Sequence, residues 1–203
     1  MKGKNLLFIV AFASFLAAPA CSGTKLINPW RDPTFHGRVN RLFVVCMVRD
    51  RGPRGLLENE FIRKLKDQDT DAVASNAIFS ENSLPEGEEL RAKVRELGFD
   101  AMIGVKFVKK ETGDTYTPAR NYTVPQNIIM SWDDLYGAPS DNSQDVSYDY
   151  KVAIMQTTLF SAGSGKPIWS SLSETRYEGS LVKQFKSFVG VIVRVLHKEE
   201  FIR

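Results

Sequence analysis

Leu42-Phe43-Val44-Val45-Cys46-Met47-Val48 is the stretch on which the fold turns. It is a continuous apolar run bounded by Arg41 and Arg49, rich in strand formers and without polar alternation. Such a strand has no wet face, so it reads as covered on both sides, the habit of strands in parallel sheets. Downstream, Arg49-Asp50-Arg51-Gly52-Pro53-Arg54 turns the chain. A helix is expected over about Arg54 to Lys66, because Leu57, Phe61 and Leu65 recur every four residues. Asp71 to Asn76 reads as a weaker second strand. Ser83 and Glu86 have capping-box spacing and open a helix whose inward row is Leu90, Val94 and Leu97. Gly98 suits the end of that helix, where a left-handed residue is favourable only without a side chain. Ala101 to Val108 supplies the third strand. Each helix is long enough to cross back over a sheet, so parallel pairing is expected.

The later chain changes rhythm. Val146 to Phe160 reads as a long strand, with Tyr148, Tyr150, Val152 and Ile154 alternating against Asp149 and Lys151. Ser161 to Pro167 is a small-residue turn, and Ile168 to Tyr177 returns as the antiparallel partner. From Gly179 towards His197, Leu181, Val182, Phe185, Phe188, Val189, Ile192, Val193 and Leu196 form an apolar stripe. Full burial of such side chains contributes about 1.5–3 kcal/mol each, which makes the stripe core. The expected class is therefore α/β: a mixed sheet built from strand-helix-strand-helix-strand, a late antiparallel hairpin and a closing C-terminal helix.

The insertion at 109–147 interrupts this order with Pro118, Pro125, Pro139 and the aromatics Tyr116, Tyr122, Trp132 and Tyr136. A connection of this length inside a compact domain is usually functional or disordered. Ile128-Ile129-Met130 suits a short internal strand. The four aromatics are candidate partner contacts, since an interaction module would expose them as a patch rimmed by polar groups.

Upstream, Lys2 and Lys4 precede Leu6 to Ala17, apolar apart from Ser14, and Ala17-Ala18-Pro19-Ala20 leads into Cys21. Charge, apolar core and small residues in that order make a secretory signal. Its core of about a dozen residues is short of the roughly 20 needed to span hydrocarbon. The stretch resembles a bacterial lipoprotein signal. The resemblance implies cleavage before Cys21, lipidation of that cysteine and attachment to a membrane through the lipid. Two features depart from the usual pattern: Ala18 stands where Leu is common, and Pro19 is unusual. Ser22 beside the cysteine implies, in a two-membrane host, the outer-membrane class, at its periplasmic face. An ordinary secreted protein cut nearby, or an uncleaved anchor, are the competing readings. The resulting division is 1–20 signal peptide, 21–39 lipidated N-terminus and tether, and 40–203 a single α/β domain. Asn28-Pro29-Trp30-Arg31-Asp32-Pro33 excludes a helix from the tether. Trp30 and Phe35 are expected to pack it onto the body.

Removing residues 1–20 leaves 183 of 203, ample for one core. The 27 basic and 24 acidic side chains become 25 and 24, because the signal holds two lysines and no acid. A near-neutral body argues against nucleic-acid binding, which needs a concentrated basic face. No second apolar run is long enough to cross a membrane. Of the two cysteines, Cys21 and Cys46, the second lies inside the apolar run and reads as a buried, inert thiol.

Motifs for chemistry are sparse. His36 and His197 are far apart in the chain, without the i,i+4 spacing of helical zinc proteases. Asp133, Asp134, Asp141, Asp145 and Asp149 lack the glycine and terminal glutamate of an EF-hand loop, and no metal is expected. Gly163-Ser164-Gly165-Lys166 fails as a phosphate loop: Phe160 occupies the first glycine's place, Pro167 follows the lysine, and two strands flank it. No Ser-His-Asp signature is present. No catalytic residue or cofactor is assigned. Arg49, Arg51 and Arg54 follow a buried strand and open a helix. That is where open α/β sheets place ligands and where helix ends favour anions. They are candidate contacts for an anion or an acidic partner.

The chain also resembles the envelope lipoprotein domains related to the N-terminal domain of TolB, the peptidoglycan-synthase activator lipoproteins and the curli-secretion lipoproteins. Over about residues 40–198 the shared features are the Leu42–Val48 strand, two strand-helix returns, Gly98-Phe99-Asp100-Ala101 entering the third strand, and Gly165-Lys166-Pro167-Ile168-Trp169 in the hairpin before a long helix. The resemblance implies a non-enzymatic accessory acting through protein contacts, with an envelope protein as partner. An oligomeric secretion or transport component is the first alternative. A small-ligand-binding lipoprotein or an enzyme of unknown class is the second.

Overall fold

A computed structural model describes residues 23–48, 51–79, 87–111, 152–177 and 179–203. In chain order the elements are β1 (Thr24–Arg31), β2 (Arg41–Met47), α1 (Arg51–Lys66), β3 (Asp71–Ala74), α2 (Ser75–Ile78), α3 (Gly87–Glu96), β4 (Ala101–Glu111), β5 (Val152–Ser161), β6 (Pro167–Arg176) and α4 (Leu181–Lys198). The strands form one sheet in the order β1-β6-β5-β4-β2-β3. β2 is parallel to β3 and β4, as expected of strands joined by crossover helices. β5 and β6 form the antiparallel hairpin, and β5 also runs antiparallel to β4.

Following these directions across the sheet puts the carboxyl ends of β2, β3, β4 and β6 at one end, here the upper end. The amino ends of β1, α1 and α4 lie there too. The β5–β6 turn, the start of β2 and the C-terminus of α4 lie at the lower end.

The core has two layers. On one face α1 and α4 bury Leu57, Phe61, Leu65, Phe185, Phe188, Val189 and Ile192 against Val44, Cys46, Ile103, Val105 and Met155. Phe61 meets Phe188 edge-on at 5.9 Å between ring centroids. On the other face Leu90 and Val94 of α3 cover Phe43, Val45, Met102 and Phe160. Leu42 to Cys46 are all buried, because β2 has a helix on each side.

Local chemistry fixes the ends of these elements. Gly98 holds a φ of +70°, the left-handed geometry expected after α3. The Asp100 carboxylate then accepts from the backbone N–H groups of Asn40 (2.9 Å) and Arg41 (3.0 Å), pinning the start of β2 to the start of β4. The Arg41 guanidinium lies 4.7 Å from the centre of the Phe99 ring. Gly98-Phe99-Asp100-Ala101 thus owes its form to a helix stop and a two-strand clasp.

Three details differ from the sequence reading. Thr24–Arg31, within the segment read as a tether, is edge strand β1, antiparallel to β6. Its prolines do not prevent this. A bulge between Ile27 and Trp30, with Asn28 at φ 47°, absorbs Pro29 on an edge strand. Phe35 does pack as expected, stacked on Phe201 at 5.8 Å. Asp71–Asn76 divides into β3 and the short helix α2. Val182 does not belong to the buried stripe of α4: it is 45% exposed, because it lies outside the arc pressed onto the sheet. The expected capping residues Ser83 and Glu86 and the 146–151 part of the long strand lie outside the described residues.

Candidate functional site

At the upper end, α1 begins with Arg51, which is exposed. Arg54, one turn on, is 4% exposed, and its Nε has no hydrogen-bond partner among the described residues. Glu58, four residues further, is fully buried. Its Oε1 accepts from the Cys46 N–H at 3.0 Å and from the Ser75 hydroxyl, and its Oε2 accepts from the Asn76 N–H at 3.0 Å. Burial raises the Glu58 carboxyl above its ordinary range; the bonds from Ser75, Cys46 and Asn76 and the charge of Arg54 oppose that rise.

This arrangement has a structural use. β3 pairs with β2 only as far as Val44↔Ala74, so the Cys46 amide lies beyond the partner strand. Glu58 supplies the missing acceptor, which a buried N–H requires. The Cys46 thiol is fully buried, and burial followed by the Glu58 charge pushes it well above the ordinary thiol range. A thiol held protonated in apolar surroundings is a poor nucleophile, as the sequence reading expected.

Of the residues singled out from sequence, Arg51 and Arg54 come to this end of the sheet, one on the surface and one inside. Arg49, Cys21, Tyr116, Tyr122, Trp132 and Tyr136 lie outside the described residues. Glu58, Ser75 and Asn76 were missed. A signal for Glu58 exists: Arg54, Glu58, Phe61 and Leu65 follow i, i+4, i+7, i+11 spacing, which places both charged residues on the buried stripe of α1. His36 and His197 are both exposed. Among the described residues, no group of three or more His, Cys, Asp or Glu is placed to hold a metal ion. No described helix is long and apolar enough to cross a membrane.

The same end holds the start of β1. The Gly23 carbonyl accepts from the Arg176 N–H at 2.9 Å. The Thr24 hydroxyl bonds to Thr175 and to Ser187 of α4, each at 3.0 Å. Only Ser22 separates Gly23 from Cys21. At roughly 3.3–3.6 Å per extended residue, the chain from Gly23 to Cys21 is at most about 7 Å long.

The chain matches no protein-family model and no curated protein. It is similar to two solved structures of the PelC dodecamer from Paraburkholderia phytofirmans. One, of a single-residue variant of PelC, has 12% identity and a TM-score of 0.47, and a second crystal form has 10% and 0.48; each likeness covers 89% of this chain and 99% of PelC. It is also similar to the lipoprotein GNA1162 from Neisseria meningitidis, at 10% identity and a TM-score of 0.40, over 79% of this chain and 95% of that one. With identities of at most 12% and TM-scores of at most 0.48, these likenesses establish neither the fold nor the function of the chain.

Proposed function

We propose that the chain is a lipid-anchored accessory protein of the bacterial envelope that acts by contacting other proteins and carries out no catalysis. The observation that carries this reading is the clamp at Gly23 and Thr24, two residues beyond the cysteine that the signal presents for lipidation. An anchor at Cys21 joins the folded body to the bilayer almost directly. Ser22 favours the outer membrane, at its periplasmic face. The buried polar groups support a non-catalytic role, since Glu58 is engaged by backbone and hydroxyl donors and Cys46 is sealed in the core.

The partner contact is assigned to Tyr116, Tyr122, Trp132 and Tyr136. They belong to the segment that leaves β4 and returns to β5 at the upper end. Arg49 and Arg51 suit an acidic group on that partner, whereas Arg54, read from sequence as a third such contact, is buried in α1 and does not reach it. A component assembled from copies of this chain is the second reading, and PelC is described as a dodecamer. Copies would not join by strand addition, because β1 is bulged around Pro29 and β3 has only four residues.

Crosslinking in native envelopes tests both. The first reading predicts crosslinks to another envelope protein that disappear when the four aromatics are changed to serine in a folded chain. Self-assembly predicts a ladder of multiples of this chain alone. Crosslinks to other proteins that survive the fourfold change contradict the aromatic contact.

A further inference from the structure

Exposed acids, unlike exposed bases, are distributed unevenly along the sheet axis. Among the described residues, the exposed acids Asp67, Asp69, Asp71, Glu96, Asp100 and Glu200 all sit at the lower end, where the exposed bases Arg31, Arg38, Arg41, Lys66, Arg95, Lys166, Lys198 and Arg203 accompany them. Glu88 and Glu89 start α3, which lies low on its face, since Arg91 packs beside Gly165 in the β5–β6 turn. The upper end holds the exposed bases Lys25, Arg51, Arg176, Lys183 and Lys186; of its described acids, Glu58 and Glu174 are buried and Glu111 ends β4.

The helices reinforce this polarity. α1 has 16 residues, α4 has 18, and both point their positive amino ends upward without an acid in the first turn. Arg51 and Lys183 stand where an acid would stabilise the helix, so stability is forgone in favour of positive charge. The two large exposed hydrophobics among the described residues, Leu56 (48%) and Val182 (45%), lie in the amino-terminal halves of these same helices. Helical side chains lean towards the amino end, which here is the upper end.

We propose that this end is a phospholipid-binding face, on which Lys25, Arg51, Arg176, Lys183 and Lys186 engage anionic headgroups while Leu56 and Val182 enter the headgroup–acyl boundary. The proposal rests on the reading of Cys21 as the anchor. The clamp at Gly23 then keeps this end within about 7 Å of the lipidated residue, comparable to the thickness of one headgroup layer. Each basic residue at an anionic surface strengthens attachment about fivefold. The competing occupant is the chain's own segment 112–151, which joins the same end and carries six aspartates against Arg120 and Lys151.

The test uses the full acylated protein in phosphatidylethanolamine vesicles with and without phosphatidylglycerol. A fluorophore is placed at Val182→Cys or, as the lower-end control, at Lys166→Cys; Cys46 is buried and does not compete for label. Headgroup-level nitroxide lipids should quench the label at 182 in phosphatidylglycerol vesicles and leave the label at 166 bright. Charge reversal of Lys25, Arg51, Lys183 and Lys186 to Glu should abolish that quenching while the acyl chains keep the protein on the vesicles. Equal quenching at the two positions, as would follow if segment 112–151 or a second copy covered this end, overturns the proposal. So does quenching at 182 that survives charge reversal. If mass measurement shows no acyl group, the anchor reading has failed and the face is read separately. The unacylated protein should then float with phosphatidylglycerol vesicles at low salt and lose this on charge reversal; failure to float overturns the face as well.

Discussion

The carboxylate of Glu58 on α1 accepts a hydrogen bond from the backbone N–H of Cys46 on β2 at 3.0 Å. It stands in for a strand that has already ended, and its second oxygen serves the amide of Asn76 at the start of α2. One side chain therefore ties a helix, a strand and the turn after β3 together. Its replacement has a defined consequence. Glu58→Gln places an NH2 group where an acceptor is needed and is expected to destabilise the fold at neutral pH by about 1–3 kcal/mol.

The same residue predicts a pH dependence. Burial holds the folded-state pKa of Glu58 above the 4.5 of a free glutamate. The folded chain thus keeps a proton that the unfolded chain releases. Stability from this group is fully present below the unfolded pKa and is lost as pH rises through the raised folded value. The stability gap between the native chain and Glu58→Gln should therefore be widest in acid and narrow towards neutrality. Urea titrations at several pH values check it; a gap that widens with pH would contradict the assignment.

Two positions on α4 should behave oppositely. Phe188 is fully buried and meets Phe61, so Phe188→Ala is expected to cost about 3–5 kcal/mol. Val182 is 45% exposed, and Val182→Ser should change stability by less than about 0.5 kcal/mol. Denaturant midpoints of the two variants measure the contrast.

Asp100 makes a third case, because it is exposed yet bonds to two backbone amides. Asp100→Ala is expected to cost about 1.5–3 kcal/mol and to speed hydrogen exchange at Asn40 and Arg41 above other β2 amides. Gly98→Ala nearby, at φ +70°, should cost about 1–2 kcal/mol through backbone strain alone.

How far the sequence carried the fold follows from where its signals are local. Leu42–Val48 and the four-residue rows of α1 and α3 are local patterns, and they disclosed the parallel half of the sheet. β1 was hidden because its pairing is not local: Thr24 meets Thr175, 151 residues away, across a bulge that makes Pro29 tolerable. Val182 was misplaced because the apolar stripe of α4 is wider than the arc that touches the sheet. At the site, Arg51 and Arg54 were visible as charges opening a helix, but not that one would be exposed and the other buried. Glu58 escaped notice because a carboxylate beside Leu57 looks like ordinary helix surface until the end of β3 leaves the Cys46 amide without a strand partner.

The account depends most on what Cys21 carries. Intact mass and N-terminal peptide mapping of the protein recovered from membranes, with and without globomycin, measures this directly. The prediction is a mature chain beginning at Cys21 with diacylglyceryl on its sulfur, and an uncleaved precursor when the lipoprotein peptidase is blocked. An unmodified Cys21, or a mature terminus elsewhere that globomycin does not affect, would contradict it.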